Sequence, residues 1–265
     1  MRCERRALVL MYHRVGAVAD KAEARYCIRP EHFAKQMTAL AAHGYRAVPI
    51  EAFIAWLDGG PPLRDREFVL TFDDGYKGVL DHAAPVLERL HWPYTVFLVT
   101  ELIGGCDAWP RNDGSAEAQH ELLSADEIRS MARRGVSFHS HTCRHRSLPS
   151  LSADDLQAEL AAARTALDRL VGGREHCIAY PYGHVDDRVV AAARSAGYTA
   201  GFSVQPGFNR SGIDRFRIRR LDVAGTDSPA MLLRKMRLGS NDGSRLAALR
   251  YATRRVGNRL GLRTA

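Results

Sequence analysis

Short apolar runs alternate with amphipathic stretches along this chain, and turn signals separate them. That alternation restricts its fold more than any other feature. Repeated strand-then-helix units pair their strands in parallel through crossovers, which limits the chain to a parallel α/β sheet or an α/β barrel. A strand is predicted over Ala7–Met11. Pro30 then opens a helix with Phe33, Met37 and Leu40 on one face. Pro49 begins a shorter one with Phe53, Ile54 and Leu57, which Gly59-Gly60-Pro61-Pro62 terminates. A strand over Phe68–Phe72, a helix over Val79–Leu90 and a strand over Thr95–Val99 follow. Ser124 with Glu127 makes a capping box for a helix that Gly135 ends. Val136–Phe138 reads as a strand, and Ser152 with Asp155 caps the longest helix, which Gly172-Gly173 stops. Strands over Cys177–Tyr180, Ala200–Val204 and Arg217–Val223, with a helix over Asp187–Ala196, complete the pattern. Leu102–Gln119 has little periodicity and several Gly, Pro, Asn and Asp residues, which predicts a long loop.

The 265 residues give room for one full core and an appendage. No apolar run approaches the roughly 20 residues of a membrane helix. Arg2, Arg5 and Arg6 before Ala7–Met11 have the charge pattern of a secretion signal. The apolar part is too short for one, and Tyr12, His13 and Arg14 close it. The expectation is a buried first strand in a cytoplasmic protein. Five scattered cysteines, never spaced as CxxC, give neither a disulfide framework nor a structural zinc site. Charge divides the chain. Residues 226–265 hold nine Arg or Lys against two Asp, a net of +7, while the preceding 225 residues carry a net of +1. We therefore expect a domain over residues 6–225 and a basic, helical tail over 226–265. Arg245–Leu260 can be drawn as a helix with Leu246, Leu249, Val256 and Leu260 along one stripe. Such a helix can pack on the barrel with a solvated basic face, or hold the protein peripherally on an anionic inner-membrane surface. For nucleic acid there is no aromatic-rich basic platform.

Residues suited to chemistry gather where the predicted strands end. Thr71-Phe72-Asp73-Asp74-Gly75 directly follows an apolar strand, so both carboxylates stand at its carboxyl end, the edge where α/β barrels build active sites. Adjacent carboxylates repel, which calls for a positive group nearby. A bare Asp-Asp-Gly also suits a turn capping the next helix, so this stretch alone leaves both readings open. His139-Ser140-His141-Thr142-Cys143-Arg144-His145 follows another strand. His141 and His145 are four apart, and in helical geometry both imidazoles face one side, a spacing suited to one metal. Two His and one Asp leave coordination positions open for water, as a catalytic site requires. His139 joins His141 only if the strand continues through both, and Cys143 fits a small buried side chain as well as a ligand. Pro181 and Gly183 flank Tyr182 in a rigid turn that can fix a backbone N–H, or simply link strand to helix. His13 closes the first strand. Four strand ends thus bring His13, Asp73/Asp74, His141/His145 and Tyr182 to one rim.

In order and spacing, Thr71–Gly75, the His141/His145 pair with Thr142, and Tyr180–Gly183 resemble the motifs of the polysaccharide deacetylases, carbohydrate esterase family 4. The similarity spans residues 6–224. Leu10-Met11-Tyr12-His13-Arg14-Val15 resembles the branch that includes biofilm poly-N-acetylglucosamine deacetylases. The resemblance implies a distorted (β/α) barrel that hydrolyses an N-acetyl group from an amino sugar in a polysaccharide, oligosaccharide or lipid-linked glycan. It implies Asp74, His141 and His145 as ligands of one divalent cation, Asp73 as general base, and the Tyr182 N–H, within the turn of Pro181 and Gly183, as oxyanion donor. Two departures stand out. No histidine follows His184, where most members keep the general acid; in the resembled branch that role moves to the first strand, which points to His13, with His139 and His184 next in line. The third-motif arginine that buttresses the base is replaced by Ala179, and Arg220 is the best substitute. Zinc is the default cation, while nickel, cobalt or iron(II) also suit imidazole and carboxylate. An O-acetyl esterase, a deacylase of a non-sugar amide, and a glycan-binding module on an inactive barrel are the alternatives.

Overall fold

A computed structural model describes residues 5–21, 23–107, 119–173 and 175–249. The first apolar run becomes β1 (Arg6–Tyr12), around which the sheet is organised. The strands that follow are β2 (Arg14–Val15), β3 (Cys27–Ile28), β4 (Arg46–Ala47), β5 (Glu67–Phe72), β6 (Thr95–Leu98), β7 (Ser137–Ser140), β8 (Cys177–Ala179), β9 (Ala200–Phe202), β10 (Asn209–Arg210) and β11 (Leu221–Asp222). Between them lie α1 (Pro30–Ala42), α2 (Ile50–Leu57), α3 (Ala84–Leu90), α4 (Ala125–Arg133), α5 (Ala153–Val171) and α6 (Asp187–Ser195), and α7 (Pro229–Leu238) closes the series.

β1, β5, β6, β7, β8 and β9 run parallel in that spatial order. The ring is then closed by one interrupted segment. Ile218 bridges in parallel to Phe202, and three residues later β11 pairs in parallel with β1, Leu10 opposite Leu221. A continuous strand is expected over 217–223; the pairing instead changes partner at Arg219–Arg220. That break turns Arg220 fully inside while Arg219 stays exposed. β10 pairs antiparallel with the start of β1, and β4 adds to the start of β5. The result is the distorted (β/α) barrel that the family resemblance implies, one of the two parallel architectures left open by the chain's alternation.

Side-chain alternation sorts β1 between two cores. Leu8, Leu10 and Tyr12 face outward with Phe68, Leu70 and Phe72 and pack on Phe33 and Met37 of α1, Leu87 of α3, and Ile128 and Met131 of α4. Ala7 and Val9 face inward with Val69, Phe97, Ala179 and Phe202. Phe53, Trp56 and Leu57 of α2 join this inner cluster on the side where the strands begin, so the barrel is filled and closed at its amino end. Each such side chain contributes about 1.5–3 kcal/mol on burial. The capping box at Ser124 and Glu127 forms as expected. The helix expected over 79–90 opens with a wider π-type turn at Val79–Ala83. Pro85 has no N–H to donate to the carbonyl four residues back, which loosens the chain at that point.

The division at residue 225 is one of charge rather than packing. Leu232 and Met236 of α7 belong to the outer core, Lys235 is buried against Asp227, and the Gln36 side chain donates to Asp227 O at 2.6 Å. Residues 245–249 are helical, with Leu246 and Leu249 exposed; the rest of the expected helix to Leu260 lies outside the described residues. Most of the expected 102–119 loop does too. Its ends are pinned by bridges between Cys106 and Glu121 and between Tyr76 and Leu122. Among the described residues no helix is long and apolar enough to cross a membrane.

Candidate active site

The carboxyl ends of the strands open on a cavity of about 460 Å³, lined among others by His13, Asp73, Asp74, His141, His145 and Tyr182. They arrive on four strand ends, those of β1, β5, β7 and β8. The Asp73 N–H donates to Tyr12 O at 2.9 Å, which carries the β1–β5 pairing one residue past the strand and fixes the turn at Asp74. Asp74 takes φ +73°, and Gly75, at φ +85°, holds a conformation that favours glycine, with a Cβ there also meeting Leu98 Cδ2 at 2.8 Å. Six non-glycine residues have positive φ among the described residues, and four of them, Asp74, Thr142, His145 and Tyr182, are at this rim. Such conformations cost on the order of 1–3 kcal/mol each and persist where the surroundings over-determine them, so their concentration marks the site.

The histidines converge differently from the expectation. Residues 141–145 are not helical; Thr142 and His145, at φ +70° and +57°, fold the chain back after β7. The Thr142 Oγ1 accepts from the His145 N–H at 3.1 Å and secures that turn. The two rings end with centroids 4.8 Å apart. His141 Nδ1 donates to Ala179 O at 2.9 Å, which leaves the Nε2 lone pair for the cavity. His141 Nε2 and His145 Nε2 each stand 3.4 Å from Asp74 Oδ1. Burial lowers both imidazoles, His141 to about 4 and His145 well below the usual histidine range, so both are neutral donors at neutral pH.

This donor set fits a cation. Its three ligand atoms lie within 4.8 Å of one another and all three residues are buried. Tetrahedral ligands at about 2.1 Å from a common centre stand roughly 3.4 Å apart, which is the spacing that both nitrogens keep from Asp74. A backbone carbonyl orienting the first imidazole is the usual support for a metal-binding histidine.

Asp73 points to the same place. Its Oδ2 lies 3.9 Å from His141 Nε2, and both its oxygens are gripped by Arg220, Nη1 to Oδ1 at 2.6 Å and Nη2 to Oδ2 at 2.8 Å. Arg220 Nε donates to Ser203 O, so the guanidinium is locked in turn. Burial pushes the Asp73 carboxyl up, but Arg220 and His141 together outweigh it and hold the group at about 2. The positive partner that two adjacent carboxylates demanded is therefore Arg220.

His13 lines the cavity with its Nδ1 buried and without a hydrogen-bond partner among the described residues. Burial lowers its pKa, and the carboxylates of Asp73 and Asp222 draw it back. Tyr182, at φ +59°, sits in the Pro181–Gly183 turn, whose hydrogen bonds run from Gly183 N–H to Tyr180 O and from His184 N–H to Pro181 O. The Tyr182 N–H takes no part in them. A Cβ on Gly183 would lie 2.2 Å from Val204 Cγ2, so glycine alone fits there, while Pro181 is buried beneath the turn.

Other candidates stand apart. His139 does share the inward face with His141, but one layer deeper: its Nδ1 accepts from the Cys177 N–H at 3.2 Å and its ring lies by Phe97. Cys143 Sγ is directed at Glu101, and His184 is exposed beside Ser147. Asp222 was not expected at the rim, although it follows Arg220 by two residues and alternation puts both on one face. The short β2–β3 pair and the residues it carries gave no periodic signal.

A model of the polysaccharide deacetylase family matches residues 60–201. The chain belongs to the polysaccharide deacetylase family. This polysaccharide deacetylase is 27% identical over 241 residues to the poly-β-1,6-N-acetyl-D-glucosamine N-deacetylase of Staphylococcus epidermidis, covering 82% of this chain and 79% of that one. Its fold is similar to that of IcaB from Ammonifex degensii, with a TM-score of 0.71 and 26% identity over 83% of this chain and 92% of that one. It is also similar to the Streptococcus pyogenes deacetylase PplD in complex with acetate, with a TM-score of 0.75 and 24% identity over 88% and 99%. The polysaccharide deacetylase is thus a hydrolase that removes N-acyl groups from carbohydrate, and its family depends on a metal.

Proposed function

We propose that this deacetylase hydrolyses the acetamide of N-acetylglucosamine units, with one divalent cation held by Asp74, His141 and His145 and zinc as the default. The observation that carries the reading is the juxtaposition of that buried N,N,O triangle with a carboxylate, Asp73, that Arg220 keeps ionised. A cation there supplies Lewis acidity, which acidifies water and polarises an acyl oxygen. Asp73 accepts the proton of the attacking water. A carboxylate held at about 2 is a weak base, adequate only because the water it serves is acidified. Arg220 keeps both Asp73 oxygens fixed, so the base does not swing onto the cation position. The Tyr182 N–H, free of its own turn, donates to the oxygen that gains charge as the carbonyl carbon becomes tetrahedral.

An amide differs from an ester in its leaving group. An amine departs only when protonated, whereas an alkoxide or phenoxide departs more readily. His13 supplies that proton; burial lowers its pKa, and Asp73 and Asp222 oppose that fall. An acid at this place supports N-deacylation over O-deacylation. Acetate release from matched N-acetyl and O-acetyl glucosamine oligomers tests this: the N-acetyl substrate should turn over faster, and release from the O-acetyl substrate alone would make the enzyme an esterase.

A further inference from the structure

We propose that Tyr26 and Arg25 form the subsite for the sugar that leaves with the amine, and that Arg25 selects amino sugars bearing a phosphate. The inference rests on the reading of His13 as the acid. The atom protonated by His13 is the amine nitrogen, which remains on the sugar. The sugar ring must therefore lie on the His13 side of the reacting carbon. The next side chain outward on that side is Tyr26, whose ring meets His13 edge-to-face at 5.3 Å. Both line the cavity, yet Tyr26 is 45% exposed, an aromatic face offered to solvent beside a catalytic cleft. Arg25 follows, with its guanidinium carbon 5.4 Å from the Tyr26 ring centroid. His13, Tyr26 and Arg25 thus form a ladder from the site to its mouth.

This flap is built into the barrel. The Arg14 N–H donates to Tyr26 O, the Gly16 N–H to Ile28 O, and the Gly225 N–H to Ala24 O. A Cβ on Gly225 would lie 1.9 Å from Cys27 O, and one on Gly78 would lie 2.0 Å from Val15 O, so the flap backbone is seated directly on two glycines. Ring stacking on Tyr26 therefore needs little ordering of the protein. Two arginines line the cavity. Arg14 is paired with the buried Glu23, while Arg25 makes no ion pair among the described residues. A guanidinium that rests against the Tyr26 ring but has no carboxylate partner among those residues, at the end of a sugar platform, matches a phosphate, which it can bind through two parallel hydrogen bonds. The phosphate would stand on the anomeric carbon, where a lipid carrier is attached, or elsewhere on the ring.

Calorimetric affinities of N-acetylglucosamine, its 1-phosphate and its 6-phosphate separate these cases. They are measured on wild type, Arg25→Gln and Tyr26→Ala, each metal-loaded and chelated, since phosphate also has affinity for cations. At least one phosphate should bind wild type about tenfold more tightly than the neutral sugar, in both metal states, and Arg25→Gln should erase that advantage. Tyr26→Ala should weaken all three ligands alike. The phosphate that benefits distinguishes a carrier-linked substrate from a ring-phosphorylated one. No advantage in wild type, or one that survives in Arg25→Gln, would overturn the inference. If acetate is then still released from the neutral oligomer, the deacetylase reading stands without the subsite. An Arg25-dependent advantage with no acetate release from any sugar would keep the subsite and sink the reading.

Discussion

Two pairs of buried histidines sit a few ångströms apart in this barrel, and only one pair is suited to a metal. His141 and His145 have ring centroids 4.8 Å apart at the rim; His139 and His176 are 6.0 Å apart in the interior. Burial lowers the pKa of all four. Neutral imidazole is thus not what distinguishes them. At the rim both Nε2 atoms converge on the buried Asp74, with Asp73 behind. In the interior His139 accepts from a backbone N–H and His176 meets Asp168, whose side chain is 43% exposed, so no shared point is enclosed. A shared, buried carboxylate and left-handed backbone that turns the rings inward make the rim histidines a candidate ligand set.

Replacing residues on either side should break the symmetry of the two pairs. His141→Ala or His145→Ala should lose the metal and, since the cation supplies several kcal/mol to the transition state, about 10³-fold or more in rate. Elemental analysis and acetate release check both. His139→Ala should keep the metal and cost about 2–5 kcal/mol of stability, read from denaturant unfolding. Equal metal loss in both groups would end the comparison.

His13→Ala should retain metal and slow amide hydrolysis by roughly 10²–10⁴-fold. Hydrolysis of an aryl acetate, whose leaving group needs no proton, should fall far less. Matching losses would place the proton donor elsewhere.

Arg220→Met should be more damaging than Arg219→Met, because it strands a buried carboxylate. Such a break costs about 3–5 kcal/mol, whereas the exposed Arg219 should fall within ~0.5 kcal/mol. The sign with pH follows. Asp73 is depressed to about 2, so its contribution is present above the unfolded carboxylate value and is lost as pH falls through about 2. Arg220→Met should remove that contribution. Unfolding free energies across pH would show it, and equal stability of the two variants would exclude the buried pair.

The smallest effect belongs to His176 of the interior pair. His176 is held below the usual histidine range by burial, with Asp168 opposing. The unfolded chain therefore binds the extra proton, and stability should decline as pH falls below about 6.5. His176→Leu should flatten this slope modestly; an unchanged slope would assign it to other groups.

The parts of the site that lie at the ends of regular strands were legible in the sequence, because an apolar run followed by Asp73-Asp74-Gly75 or by His139–His145 states its own position. The choice of Arg220 over Arg219 was legible through alternation, although the segment is broken rather than a continuous strand. Alternation applied once more would have found Asp222. The route by which His141 and His145 meet was misread as helical, since positive φ at Thr142 and His145 has no signature in a Thr or a His. Arg25 and Tyr26 were invisible because the short helical turn and the turn residue that carry them have no period, and α7 is indistinguishable from the basic tail by charge alone.

The most direct test is a titration of a divalent cation into chelated protein, with acetate release from N-acetylglucosamine oligomers as the readout. Chelated protein should be inactive, and activity should rise linearly to a plateau at one equivalent per chain. Full activity in the presence of chelator, or a plateau unrelated to one equivalent, would contradict a single catalytic cation held by Asp74, His141 and His145.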